Sequence, residues 1–181
     1  MKTFIYVKTD TSMVCGIAMV CNNSGEYTKP IQDKITELGS EEAGLMHFAN
    51  EGMLEGCTAK IIDFADVPGI NGYDYDKTFF GFKAENELNV LTEYRGWKSD
   101  QNGISIDMTG AKEIAHHCRR QVRARELAPL DIQSTIPSQA VAAESARQAI
   151  RNKHNVIQTD IDSTTDSESL KAVIATNNLS L

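Results

Sequence analysis

The 181-residue chain contains no Cys-x-x-Cys pair, no Gly-x-Gly-x-x-Gly, no Gly-x-Ser-x-Gly and no His-Glu-x-x-His. These absences remove the usual zinc template, the phosphate-cradling glycine loops, the nucleophile elbow and the zinc protease helix. No apolar run reaches the ~18 residues that cross a bilayer. The start, MKTFIYVKTD, lacks the apolar core of a secretory signal. A chain of this kind is expected to be made and kept in a reducing cytoplasm, or packaged from one, and not to be secreted by a signal peptide. The four cysteines, Cys15, Cys21, Cys57 and Cys118, are separated by 6, 36 and 61 residues. In a reducing compartment they are expected to be four buried thiols acting as small hydrophobes, without a disulfide or a structural metal.

A second absence divides the chain. Residues 107–181 contain no Phe, Tyr or Trp, and only Gly110, Pro129 and Pro137 among helix breakers. Alanine, glutamine, arginine and serine dominate there, which is a helical composition. The spacing predicts a helix from Met108 to about Leu127 and a short piece around Leu130 to Thr135. A second long helix follows a Ser138 N-cap to about Ile157. A third runs from Asp166 to Ala175, with Thr165 and Glu168 at capping-box spacing.

Residues 1–106 read differently. Thr3–Thr9 has strand character, Asp10-Thr11-Ser12 is turn material, and Met13–Cys21 completes a hairpin. Ser40 followed by Glu41 and Glu42 opens a helical pattern carried by Leu45, Met46, Ala49, Met53 and Leu54, which Gly56 can end. Cys57–Ala65 is a further strand candidate, and Val67 to Gly72 breaks the chain. Thr78–Phe82 reads as a short strand or docked loop, Glu85–Arg95 is ambiguous between helix and strand, and Ile104-Ser105-Ile106 alternates. The expected fold class is α+β. A small N-terminal mixed domain (1–106: hairpin, helix, strand) precedes a helical hairpin or three-helix domain (107–181).

The densest chemistry is Ala115-His116-His117-Cys118-Arg119-Arg120. On a helix, with about 100° between neighbours, Ala111, Ile114, Ala115, Cys118 and Val122 share one face. That face is the core stripe, so Cys118 reads as an inert buried thiol. His116 and His117 diverge and cannot hold one ion together. No metal, cofactor or catalytic group is expected. His116, Arg120 and Arg123 fall on the opposite face, with Arg119 at its border and Arg125 nearer the stripe. An arginine face can meet an acidic partner or nucleic acid. The formal net charge of −7 works against polyanion binding, although residues 107–130 carry a local +2.

Aromatics alternate with aspartates in YDYDKTFF, Tyr73 to Phe80. Tyr73, Tyr75, Phe79 and Phe80 read equally well as an amphipathic protein-binding patch or as side chains that cap the core.

One resemblance concerns residues from about Asp76 to Ile174. DKTFFGFK, the Trp97 segment, ISIDMTGAKEIAHHCRRQVRARELAPLD and then SARQAIRN (Ser145–Asn152) resemble a module of tailed-bacteriophage proteins. That module is similar to tail assembly chaperone-like and tail-fibre-associated domains. Ser145 stands where that module carries a tyrosine. The resemblance implies a non-enzymatic structural or assembly protein (tail, tail-fibre or capsid accessory) acting through protein–protein contacts. Its partners would be other phage structural proteins and further copies of itself. The contacts would be carried by Arg119, Arg120 and Arg123 and by Tyr73, Tyr75, Phe79 and Phe80. The competing expectation is a cytoplasmic nucleic-acid-binding regulator that uses the arginine-rich helix.

Overall fold

The computed structural model describes residues 1–22, 24–69, 75–85, 91–101 and 103–179, and the fold is α+β. The chain divides into two compact units, Met1–Asp107 and Met108–Leu181.

In the first unit, β1 (Lys2–Lys8) lies between β2 (Val14–Ile17) and β3 (Cys57–Asp63), antiparallel to both. Two helices follow β2 in the chain, α1 (Lys29–Leu38) and α2 (Glu41–Glu51). Phe4 of β1 packs with Val20, Ile31, Leu45 and Ala49, and Tyr6, Ala59 and Ile61 join them. Thr3, Ile5 and Val7, on the other face of β1, are also buried. A central strand covered on both faces needs apolar side chains at nearly every position, which is why Thr3–Thr9 alternates only in part. The β1–β2 turn is closed by Lys8 N donating to Met13 O at 2.9 Å and Ser12 N donating to Lys8 O at 3.0 Å. Beyond it, the register slips between Tyr6 and Val7, which pair with Gly16 and Val14. Cys15 is therefore the extra residue of a β-bulge.

Ser40 caps α2 as its sequence predicts, with Oγ accepting from Ala43 N at 3.1 Å. The helix stops at Gly52, four residues before Gly56. Helix α1 was not among the expected elements. Its signals are nevertheless conventional: Pro30 in the first turn and Gly39 in the left-handed conformation (φ 73°), whose N–H closes onto Ile35 O. Only Ile31 is buried along it, so the apolar stripe that usually announces a helix is thin.

The remaining strands form two separate hairpins. β4 (Phe82–Glu85) pairs with β5 (Leu91–Tyr94), and β6 (Trp97–Asp100) pairs with β7 (Gly103–Ile106). Where the sequence left Glu85–Arg95 open, its described part is strand at Glu85 and from Leu91 to Tyr94. Residues Thr78–Phe80 form a turn that leads into β4.

The second unit is three helices, α3 (Met108–Gln133), α4 (Ala140–Ser163) and α5 (Ser167–Thr176). Helices α3 and α4 form the principal pair. Three expectations are corrected. Pro129 lies inside α3 rather than ending it. It sits in the penultimate turn on an exposed face, so the carbonyl it leaves without a helical partner meets water. The N-cap of α4 is Gln139 instead of Ser138, and α4 continues six residues past Ile157. Helix α5 is capped by Asp166, whose Oδ1 accepts from Ser169 N at 2.8 Å, in place of Thr165.

Every third and fourth residue along α4 (Ala143, Arg147, Ile150, His154, Ile157, Ile161, then Thr164) is at least half-buried. This alternating spacing is the heptad seam of a coiled-coil hairpin. Three of its positions, Arg147, His154 and Thr164, are polar.

Candidate functional site

The rotational argument for Cys118 holds in the three-helix unit: Ala111, Ile114, Ala115 and Cys118 are all buried on α3. Burial pushes the Cys118 thiol above its ordinary range. The two neighbouring imidazoles go elsewhere. His117 lies within 3.4 Å of Gln121 Nε2, one turn along the same helix. Its pKa is lowered by burial and then by the Arg120 charge. His116 is corrected: it does not lie on an open face but reaches α4, with Nε2 3.0 Å from Asp162 Oδ1. Lys112 Nζ donates to the Asp162 carbonyl at 2.8 Å, so the end of α4 is held from two positions one turn apart.

The arginine face is also redrawn. Arg119, assigned above to partner contact, is only 6% exposed. Its guanidinium lies inside the α3–α4 seam and donates to the His154 carbonyl at 3.3 Å. Burial first, and then repulsion by Arg123 and Arg120, lower its pKa. Arg120 is exposed and Arg123 half-buried, and neither makes an ion pair among the described residues. Arg125, placed nearer the core stripe by its angle, is exposed. On α4, Glu144 accepts from Arg147 and Arg151 at 2.9 and 2.7 Å, and Arg147 also meets Asp131 at 3.0 Å.

Sequence reasoning missed the centre of this seam. His154 is fully buried, with Nε2 3.0 Å from Glu126 Oε2, while Lys153 Nζ meets Oε1 of the same carboxylate at 2.7 Å. The heptad positions of Ile150, Ile157 and Ile161 place His154 in the seam, so its burial was legible in the spacing. Its partner on α3 was not.

The aromatic segment is corrected as well. Phe79 is 1% exposed and Trp97 is fully buried. Phe80 stands edge-on to Trp97 with ring centres 5.2 Å apart, and Tyr75 lies 5.5 Å from the same indole. Gly96 N donates to Phe79 O, tying this turn to the start of β6. Phe79 is therefore a core side chain instead of part of a docking patch, and Tyr75, Phe80 and Trp97 form a small aromatic cluster. Tyr75 and Phe80 are half-buried at its edge, where Lys77 and Arg95 cover their rings. Tyr73 lies outside the described residues, as does Asp74. Asp76 Oδ1 accepts from Thr78 N at 2.9 Å, a local turn bond.

Exposed apolar groups are scattered over both units, and three of them fall close together in sequence. Ile132 is 69% exposed and Val141 86% exposed, and Ile136 between them is also open. All three sit at the α3–α4 connection, where Ile136 O accepts from Gln139 and Ala140. Among the described residues, no group of three or more His, Cys, Asp or Glu is placed to hold a metal ion, and no helix is long and apolar enough to cross a membrane.

No family model, no curated protein and no solved structure matches the chain.

Proposed function

We propose that the chain is a non-enzymatic binding protein that works through the α3–α4 hairpin, as a structural or assembly component of a tailed bacteriophage. The phage assignment rests on the motif resemblance from Asp76 to Ile174. The observation that carries the binding role is the apolar end of the hairpin. Ile132, Ile136 and Val141 are open to solvent on a slender helical pair. Isolated exposed apolar residues are ordinary, but three β-branched ones within ten residues at one turn give a partner a local apolar anchor. Arg120 and Arg123, which make no ion pair among the described residues, supply charge farther along α3. The partners this surface suits are other virion proteins or a second copy of the hairpin.

The test is Ile132→Glu combined with Val141→Glu, with Arg120→Glu combined with Arg123→Glu as a second variant. Retained helicity with loss of the chain from purified particles, read by mass spectrometry, is the expected result. Normal incorporation of both variants refutes the reading. A nucleic-acid role, which the same arginines would serve, predicts instead that binding to DNA falls steeply with salt.

A further inference from the structure

Two of the four thiols meet in the first unit, and neither is fully buried as the sequence led us to expect. Cys15 Sγ and Cys57 Sγ are 2.8 Å apart, and both residues are half-exposed. Cys15 belongs to β2 and Cys57 opens β3, so the pair spans the central strand β1. The bulge explains the approach. In a regular sheet, side chains on two strands separated by a third do not meet. Cys15 is the residue left without a partner where Tyr6 pairs with Gly16 and Val7 with Val14, and a bulge bends its strand and re-aims that side chain. Cys57, opposite Lys8 at the end of β3, is adjacent to Gly56, whose φ of 70° turns the chain into the strand. The two sulfurs thus lie closer than non-bonded contact and within about 1 Å of the ~2.05 Å bonding distance.

We propose that Cys15 and Cys57 form a thiol–disulfide exchange site that closes to an intrachain cross-link on reaction with a low-molecular-weight disulfide of the glutathione type. The two cysteines have distinct roles. The Cys15 thiol donates to the Tyr6 carbonyl at 3.3 Å. Burial, and then the hydrogen bond with Cys57, push it up to about 12. With the Cys15 proton held on the Tyr6 carbonyl, Cys57 gives its own proton to solvent and attacks one sulfur of the small disulfide. The S–S bond of the reagent breaks, its leaving thiolate takes up a proton, and Cys57 carries the mixed disulfide. Cys15 then gives its proton to solvent and attacks Cys57 Sγ, expelling the second small thiolate, which is protonated in turn. Two electrons pass from the cysteine pair to the reagent, and two thiols are released. The product joins β2 to β3 and encloses both α1 and α2 in a loop between residues 42 apart in sequence.

The test uses the full reduced chain incubated with oxidised glutathione, quenched with alkylating agent and mapped by mass spectrometry. A Cys15–Cys57 linked peptide that dithiothreitol removes is the expected product. Cys15→Ser should leave glutathione trapped on Cys57, and Cys57→Ser should leave Cys15 unmodified. Cys21→Ser and Cys118→Ser should not change the linked yield. The proposal is overturned if the wild-type chain carries stable glutathione on both cysteines without the link, if neither cysteine reacts, or if the link joins Cys21 or Cys118 instead. The wild-type map decides the matter even where a variant does not fold.

Discussion

His154 Nε2 lies 3.0 Å from Glu126 Oε2 at the centre of the α3–α4 seam, with the histidine ring fully buried and the carboxylate at the edge. Nδ1 of the same ring has no hydrogen-bond partner among the described residues. A polar ring at a heptad core position sets the register of two helices at some cost in stability. His154→Ala removes both the ring and the bond, and should cost about 2–4 kcal/mol. His154→Leu fills the volume and should recover much of that loss while weakening the preference for a single register. Chemical denaturation of the parent and the two variants, with the slope compared as well as the midpoint, measures both effects.

Arg119 gives the opposite prediction from the usual cost of mutating a buried residue. Its guanidinium is buried with one carbonyl acceptor, and its Nε has no partner among the described residues. Replacing a poorly compensated buried charge with an apolar side chain of similar length is neutral to stabilising. Arg119→Met should therefore hold or raise the unfolding temperature, whereas Arg119→Ala should lower it by leaving a cavity. A thermal melt in which Met is as harmful as Ala would show the charge to be well compensated.

Gly44 tests packing against helix propensity. Alanine in the middle of α2 should favour the helix by about 1 kcal/mol. A Cβ at residue 44, however, would stand 2.5 Å from Ile35 Cγ1 and 2.9 Å from the Ile35 backbone on α1. The backbone cannot yield as a side-chain tip can, so Gly44→Ala should destabilise by roughly 1–3 kcal/mol. Urea midpoints of the variant and the parent decide between the two effects.

Glu93 supplies the pH dependence. The Lys8 ammonium first, and Arg95 after it, hold its carboxyl down to about 2 against the desolvation that opposes them. Lys8 Nζ is 2.7 Å from Oε2, and Arg95 Nη2 is 2.7 Å from Oε1. A carboxyl depressed by folding stabilises the native state above its unfolded pKa and loses that contribution as pH falls through the folded value. The contribution should thus be complete above about pH 5 and gone near pH 2, and Glu93→Gln should remove the difference. Denaturant midpoints measured between pH 2 and 7 for both proteins are expected to converge at the acid end.

Much of the architecture is local enough to be read along the chain. Ser40 with Glu41 and Glu42 starts α2 because the hydroxyl accepts from the Ala43 amide and two carboxylates favour the positive end of the helix dipole. Ala111, Ile114, Ala115 and Cys118 face inward because 3.6 residues per turn puts them on one stripe. The change of composition at Asp107 marks where strands give way to helices, since chains without aromatics or glycine favour long helical runs.

Other features depend on which element becomes whose neighbour, and no local spacing carries that information. Arg119 borders the stripe by angle, yet α4 covers it, because a second long helix widens the buried face. Pro129 stays in α3 because pairing with α4 continues past it. Phe80 stands edge-on to Trp97, seventeen residues later, while its neighbour Phe79 is buried. The approach of Cys15 to Cys57 needs the order β2-β1-β3 and a one-residue slip against β1. Tertiary packing alone decided these contacts, because burial and pairing are properties of two surfaces and a sequence window holds only one.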